Sequence, residues 1–465
     1  MSNKLGTDLT TGSIPKHLLS FSIPMLLGNL MQVGYNLVNT IWLGNIAGKD
    51  AVGASGVSFP IVFILLGIAV GISMATTILV SQYFGAKDYK MVEKVVNNSF
   101  SISLILGVFF TIAGILCSDI LLKLMGTPPE IFSLASSYLK ITIASFIFMY
   151  LGNLITSILR GIGDTKTPLI FMAIGLGINV ILDPLLIIGV GPLPKLGLNG
   201  AAYASFISQF IATLMGMIYL NQQNHIVSFH FKKLILEKDL TLLILKIGFP
   251  SVVQQCLVSI GSAFVTTFVN KFGASAIDAF SAVGRVDSIA FLPAMSMSVS
   301  AATLTGQNLG AGKPERVKDI FKWGVIMTSV ITLAISLFVV LFPRLILTTF
   351  GFGKEPVVMD IGITYLRMVG ASYILFAIMF ISNGIINGAG HTMKTMIFSL
   401  VSLWVVRVPL AWILSGTSLG LRGIWISMIA SFLVTMVISL AYYSSGKWKK
   451  AVVKHNTTAP MPEFE

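Results

Sequence analysis

Only a handful of ionisable side chains lie inside the long apolar stretches of this chain, and these are the residues that could do chemistry. Asp183 lies in the middle of GLGINVILDPLL, with Asn179 four residues before it. Residues four apart share one face of a helix, so the amide and the carboxyl group are expected side by side. Because desolvation disfavours a charged carboxylate, such a group is suited to reversible proton binding near neutral pH. The alternative is a structural hydrogen bond that packs two helices.

A second polar stripe lies in the first apolar stretch. It comprises Gln32, Tyr35, Asn36 and Asn39, which recur at helical spacing. These side chains cannot all face lipid, because their donors and acceptors would lack partners. The stripe predicts a hydrogen-bonded face that serves either a binding site or helix packing. Pro24 precedes it and predicts a kink that is either static or a hinge.

The second half of the chain carries other polar side chains at membrane depth, namely Gln255, Arg285, Asp287 and Arg407. Arg285 and Asp287 are two residues apart, so on a helix they point to nearly opposite sides and should not pair. We expect Asp287 to form a structural ion pair with Arg407 from another helix. The alternative is that Asp287 binds a proton or a cation.

Motifs for enzymatic chemistry are missing from the sequence. It contains no GxxxxGK[ST] phosphate-binding loop, no HExxH and no Cys/His cluster. The sequence therefore predicts no catalytic residues, no metal site and no cofactor. Methionine and aromatic residues are plentiful, and a cavity lined by them suits varied flat cations. The candidate lining methionines are Met31, Met149, Met172 and Met295.

The elements that position these residues are long apolar segments. Of the 465 residues, 55% are hydrophobic and 11% charged, and the mean hydropathy is +0.88, which excludes an ordinary soluble protein. Stretches of about 20 residues, enough to cross a bilayer, recur twelve times. They are 18–46, 52–80, 94–117, 133–158, 167–190, 197–221, 241–270, 275–305, 320–345, 357–386, 394–416 and 419–443. The predicted fold is an all-α polytopic membrane protein with twelve transmembrane helices.

Four motifs occur twice in the same order and at nearly constant separation, so the chain contains two copies of one unit. The pairs are SIPMLLGN and GFPSVVQQ, SQYFGAKDYK and TGQNLGAGKP, LRGIGDTKTP and INGAGHTMKT, and LGLNGAAYAS and LGLRGIWISM. Six spans per copy give both copies the same orientation, an arrangement typical of transporters. The predicted divisions are an N-terminal segment 1–17, two six-helix lobes at 18–221 and 241–443, a linker 222–240 and a tail 444–465.

Positive charges concentrate in one set of short loops and at both ends of the chain, which identifies that side as cytoplasmic. The net charge of +13 is explained by loops that face the anionic lipid bilayer, so no nucleic-acid partner is expected. We expect a monomer that spans the cell membrane, with both termini in the cytoplasm.

Several motifs carry a resemblance to a known family. They are YNLVNTIWLG in the first span, ILRGIGDTKTP, GINVILDPLLIIG and LGLNGAAYAS. Together they resemble the MATE family, the multidrug and toxic compound extrusion transporters, and the resemblance extends over essentially all twelve spans. It is closest to the branch named for DNA-damage-inducible protein F (DinF). The resemblance implies a V-shaped pair of six-helix lobes that exports organic cations in exchange for protons or sodium ions.

The resemblance also implies roles for individual residues. In that branch coupling lies in the N-terminal lobe, where Asp183 and Asn179 match an aspartate of the fifth span and its accompanying amide. Asn39 stands where the first span of the family normally has an aspartate, and asparagine cannot ionise. The chain therefore either couples through Asp183 alone or is a natural or engineered variant held near one state. The polar cavity positions are Tyr138, Asn153, Thr156 and Ser205, beside Gln32, Tyr35 and Asn36.

Protons are the expected coupling ion, with sodium as the alternative. The similar sodium-coupled branch keeps acidic residues in its seventh and tenth spans, whereas here the seventh has Gln254 and Gln255 and the tenth has no carboxylate. A lipid-linked oligosaccharide flippase of the wider superfamily is a further alternative, although such proteins often have extra helices and a more cationic cavity. A membrane enzyme would need a polar catalytic cluster, and a scaffold would not need Asp183 at mid-membrane.

Overall fold

The apolar segments of the chain are helical. Within the described residues, twelve helical segments are long and apolar enough to cross a membrane. Each overlaps one predicted span, so the predicted all-α fold with twelve transmembrane helices is confirmed. The structure, a computed structural model, describes residues 6–191, 194–222, 236–351, 353 and 355–453.

The first half of the described chain forms seven long helices, and a buried apolar cluster lies among several of them. Leu139, Ile143 and Phe146 are buried in this cluster, where α4 meets α5. Gly189 adopts a left-handed conformation and ends α6, as glycine commonly does. The helices are α1 (Ile14–Trp42), α2 (Lys49–Gly85), α3 (Tyr89–Leu124), α4 (Pro129–Ala144), α5 (Phe146–Gly161), α6 (Lys166–Ile188) and α7 (Leu198–Gln222).

The second half forms a second set of helices with a largely separate aromatic core that includes Phe376, Trp425 and Phe432. Two of its spans are interrupted, one by a 3-10 turn at Ser372–Ile374 and one by a π-helical segment at Val401–Arg407. The helices are α8 (Lys238–Asn270), α9 (Ala274–Gly310), α10 (Pro314–Leu341), α11 (Pro343–Thr349), α12 (Pro356–Ala371), α13 (Leu375–Gly388), α14 (Thr392–Leu400), α15 (Val408–Ser415) and α16 (Leu421–Ser444).

Two glycines let α13 approach α9 closely. A Cβ at Gly384 would lie 2.4 Å from the carbonyl oxygen of Ser298, and a Cβ at Gly388 would lie 2.2 Å from that of Ala302. The two glycines are four residues apart, the small-residue spacing that brings membrane helices into backbone contact.

The chain divides into two compact units that exchange short segments. Unit 1 is formed by the chain up to Asp8 together with Pro24–Phe249, and unit 2 by Leu9–Ile23 together with the chain from Pro250 onwards. Two of the three boundaries, those before Pro24 and Pro250, therefore fall at a repeated proline, since SIPMLLGN and GFPSVVQQ are matching motifs. Prolines inside a helix remove one backbone hydrogen bond each, which permits a bend there.

Hydrogen bonds explain why the N-terminal segment joins unit 2. Leu9 is buried, and its amide donates to Oε1 of Gln307 at 3.0 Å. Nδ2 of Asn308 donates to the Leu9 carbonyl at 3.2 Å, and Nζ of Lys313 donates to the Thr10 carbonyl at 3.1 Å. These anchoring side chains come from the repeated TGQNLGAGKP motif, so that motif has a structural use.

The compact units group residues 18–23 with unit 2 and residues 241–249 with unit 1, and the predicted lobes at 18–221 and 241–443 stay a prediction. Most of the predicted linker 222–240 lies outside the described residues, and so does the end of the predicted tail. The helices themselves extend slightly further than predicted, because α7 continues to Gln222 and α8 already begins at Lys238.

Candidate functional site

Helix α6 places two polar side chains inside unit 1. The helix begins beyond Asp164, whose Oδ1 accepts hydrogen bonds from the amides of Lys166 and Thr167 at 3.0 and 3.1 Å. Its strongest packing partner is α7. Asn179 is only 2% exposed and Asp183 is fully buried. The amide and the carboxyl group are thus shielded from solvent, one helical turn apart.

Asn179 connects three helices of unit 1. Its Nδ2 donates to Oγ of Ser205 and to Oγ of Ser208 on α7, both at 3.3 Å. Oγ of Ser205 also lies 3.4 Å from the hydroxyl group of Tyr35 on α1. Sequence reasoning named Tyr35, Asn179 and Ser205 but missed Ser208. The i, i+3 spacing of the two serines on one helix could have identified it.

Several buried acceptor oxygens of unit 1 lack a hydrogen-bond donor. Both carboxylate oxygens of Asp183 are buried without a hydrogen-bond partner in the described chain, and so are the amide oxygens of Asn39 and Asn179. The hydroxyl groups of Tyr35 and Tyr138 are close enough to interact electrostatically with Asp183. A buried polar group without a partner costs on the order of 1–3 kcal/mol, and a charged one costs more. The arrangement can therefore accept a proton or a small cation.

Several other polar residues named from the sequence make local contacts. Gln32 donates to Oδ1 of Asn36 on the same helix at 3.4 Å, on an exposed part of α1. Nδ2 of Asn153 donates at 3.0 Å to the Met149 carbonyl of its own helix. Thr156 is half-buried on α5. These contacts alone do not distinguish a cavity lining from helix packing.

The named methionines of unit 1 differ in environment. The terminal methyl group of Met172 packs against Gly28 of α1, where a Cβ would approach it to 2.4 Å. Met31 is 37% exposed and so leaves part of its thioether surface open. Met172 therefore contributes to the packing of α6 on α1, whereas Met31 is available for contact.

Asp287 in unit 2 has the opposite environment to Asp183. It is 7% exposed, and its two carboxylate oxygens accept hydrogen bonds from the hydroxyl groups of Tyr365 and Tyr373. Tyr365 and Tyr373 lie 78 and 86 residues after Asp287 in the chain, a relation that no local sequence pattern reveals. Asp287 is therefore satisfied as an acceptor, while Asp183 is not.

Arg407 does not form the direct ion pair that we predicted with Asp287. Its Nε donates to Oγ of Ser431 at 2.7 Å, and its guanidinium carbon lies 4.9 Å from the centre of the Phe432 ring. The carboxylate is instead occupied by the two tyrosine donors, and it reaches Arg407 only through longer-range attraction. Arg285 is exposed, which agrees with its predicted position on the other side of α9.

Gln255 lies half-buried on α8 beside Gln254, and it is Gln254 that bonds across helices, donating to Oγ of Ser399 at 2.7 Å. Within the described residues, no group of three or more His, Cys, Asp and Glu side chains could hold a metal ion.

Twelve membrane helices in two repeated units, with polar and ionisable groups buried inside them, define a multi-pass membrane transporter built by duplication. The family model named MatE matches residues 24–185 and 250–413, one match in each repeat. The chain belongs to this family of transporters and is not an enzyme. The expected family is thereby confirmed, whereas assignment to the DinF branch stays a prediction.

The chain is similar over nearly its full length to proteins named for drug resistance. It is 34% identical over 442 residues to "Probable multidrug resistance protein YpnP" of Bacillus subtilis, covering 95% of this chain and 97% of the relative. It is 28% identical to "Probable multidrug resistance protein NorM" of Thermotoga maritima, covering 95% and 94%. Among solved structures, a MOP superfamily transporter from Pyrococcus furiosus is 27% identical with a TM-score of 0.88, covering 96% and 99%.

Proposed function

We propose that this protein is a secondary antiporter that exports varied organic compounds, mainly cations, in exchange for protons. Its relatives are named as multidrug resistance and multidrug export proteins, which supports small organic molecules as the substrates. The observation that carries the coupling proposal is the buried carboxyl group of Asp183, whose two oxygens have no hydrogen-bond donor.

Protonation resolves the imbalance between acceptors and donors at this site. An ionised Asp183 has two unsatisfied oxygens, one helical turn from the unsatisfied amide oxygen of Asn179. A protonated carboxyl group carries one O–H and so supplies a donor to a group of acceptors. The local structure therefore favours the neutral form, and entry of a cationic substrate or water would favour release of the proton.

Asn39 makes coupling through Asp183 alone the simplest scheme. Asparagine has nearly the shape of aspartate but cannot exchange a proton. The oxygen of Asn39 is buried and unpartnered, so it can accept a hydrogen bond but cannot supply a proton. We propose that Tyr35, Tyr138 and Ser205 complete the polar surroundings of this single titrating group.

Sodium coupling is the alternative, because buried acceptor oxygens without donors also suit a hard cation. A lipid-linked oligosaccharide flippase would likewise present a polar interior. We place the chain in the cell membrane with both termini in the cytoplasm, on the distribution of positive charge, and we propose that it works as a monomer. Pro24 is proposed as a hinge, since the chain passes between the two units there.

Reconstituted vesicles test the proposal. Ethidium or rhodamine uptake into proteoliposomes should follow an imposed pH gradient when sodium is equal on both sides. A sodium gradient at clamped pH should drive no uptake. Transport driven by sodium alone would overturn proton coupling, and failure to transport any dye with either gradient would favour the flippase alternative.

A further inference from the structure

Unit 2 contains an arginine at membrane depth that the proposed proton cycle does not use. Arg407 ends the π-helical segment Val401–Arg407 inside the eleventh span, Thr392–Ser415. A charged side chain at this depth is costly and is retained mainly where it has a partner or a task. π-Helical segments inside α-helices also occur frequently at functional sites.

Arg407 lies near the position in the second copy that corresponds to Asp183 in the first, and it has the opposite charge. In the first copy Asp183 directly precedes Pro184, whereas in the second copy Arg407 is followed by Val408 and then Pro409. A single residue, Val408, thus separates Arg407 from the proline that matches Pro184, and the π-helical segment ends at Arg407. The two copies thus present an acid and a base at related positions.

The contacts of Arg407 leave the outer edge of its guanidinium group unoccupied. Phe432 covers one face of the group at 4.9 Å, and Nε is used by Ser431. The two terminal amino groups make no hydrogen bond to any described residue, and the side chain is only half-buried. A guanidinium held in this way keeps the two parallel N–H groups that bind a carboxylate in bidentate fashion.

The nearby acid does not fill this position. Asp287 interacts with Arg407 only at longer range, because Tyr365 and Tyr373 both donate to its carboxylate. An arginine kept solely for a structural ion pair would direct its terminal amino groups to that carboxylate. Asp287 instead balances the positive charge, which limits the cost of burying Arg407 and keeps binding of an anion weak enough for release.

We propose that Arg407 is a specificity residue that binds the acidic group of substrates bearing a carboxylate, and that unit 2 thereby extends the substrate range from cations to zwitterions. This inference rests on the proposed multidrug function. It concerns which compounds are bound, whereas the coupling proposal concerns Asp183 and the ion that is exchanged.

A matched pair of dyes isolates the acidic group. Rhodamine B has a free carboxylate, and its ethyl ester is the same fluorophore without that charge. Binding of both dyes to the purified full-length protein is measured by fluorescence anisotropy for the wild type, Arg407→Gln and Arg407→Lys. Arg367→Gln is the control, since Arg367 is an exposed arginine of the same unit on α12.

Arg407→Gln should raise the Kd for rhodamine B by about tenfold or more, the effect of losing a charge-assisted bidentate contact, and should change the Kd of the ester by less than about twofold. Arg407→Lys should give an intermediate loss for rhodamine B only, because lysine retains the charge but not the planar fork. Arg367→Gln should change neither Kd.

Equal effects of Arg407→Gln on both dyes, or no effect on either, would overturn the proposal. A wild-type protein that binds the ester but not rhodamine B would overturn it as well. If Arg407→Gln is not recovered as a folded protein, the same comparison with Arg407→Lys decides. Failure of the wild type to bind either dye would instead count against the proposed multidrug function.

Discussion

Replacing Asp287 by asparagine tests whether the hydrogen-bond partners of a buried acid determine its role. The Asp287 carboxylate accepts from Tyr365 and Tyr373 and attracts Arg407 at longer range. Asparagine keeps the shape but has one acceptor oxygen, and its amino group faces a tyrosine hydroxyl. One tyrosine donor therefore loses its acceptor, and the positive charge of Arg407 loses its balancing charge.

The expected loss follows from these contacts. Two hydrogen bonds to a charged acceptor contribute about 1.5–3 kcal/mol each, and asparagine retains part of one, so the free energy of unfolding should fall by about 3 kcal/mol. Unit 2 has roughly 230 residues, for which the entropy of unfolding is about 0.5 kcal/mol/K. The melting temperature should then fall by about 6 °C.

Thermal melting in detergent, followed by tryptophan fluorescence, measures this shift. Asp278→Asn is the matched control, because Asp278 lies exposed on the same helix, α9. Tyr365→Phe and Tyr373→Phe should each give about half the loss, since each removes one donor. A melting temperature of Asp287→Asn within about 1 °C of the wild type would refute the claim that the two tyrosine hydrogen bonds give Asp287 a structural role.

Three further changes have defined outcomes. Asn39→Asp should strengthen proton-coupled dye uptake in pH-jump proteoliposomes, because it adds a second titrating group; equal transport by both forms would contradict this. Gly388→Ala should lower the free energy of unfolding by about 1–3 kcal/mol, since its Cβ would meet the Ala302 carbonyl at 2.2 Å; Gly284→Ala, with no atom within 4 Å, is the control in the same melting assay. Burial and the charge of Lys394 lower the pKa of His391 from 6.5, so acid protonates the unfolded chain first and stability is lost as pH falls below about 6.5. In His391→Gln the melting temperature should therefore depend less on pH in this range. An unchanged pH dependence would contradict the conclusion that His391 causes the loss of stability.

The sequence predicted the fold well because its signals are local. Span length and hydropathy identify membrane helices without any tertiary information, and the repeated motifs give the two copies directly. The exchange of Leu9–Ile23 into unit 2 was not predicted, because it depends on Gln307 and Asn308 binding a segment almost 300 residues earlier in the chain. Hydropathy contains no information on such a contact.

The candidate site was predictable only in part. Helical spacing put Asn179 and Asp183 together, and family resemblance added Tyr138 and Ser205. The predicted ion pair between Asp287 and Arg407 was wrong. It was predicted from charge alone, whereas the donors that occupy the carboxylate are tyrosine hydroxyl groups, which carry no charge that a sequence pattern could reveal. Neutral donors of this kind become visible only when the packing of α9 against α12 is known.

Proton movement that accompanies dye movement tests most directly whether Asp183 carries the coupling proton. Proteoliposomes that contain a pH-sensitive dye are given a rhodamine gradient at equal pH and without sodium, with wild type and Asp183→Asn compared. Protons should move opposite to rhodamine in the wild type. In Asp183→Asn rhodamine should still bind, the melting temperature should not fall, since no donor to Asp183 is lost, and the proton flux should vanish. An undiminished number of protons per rhodamine in Asp183→Asn would contradict the claim that Asp183 carries the coupling proton.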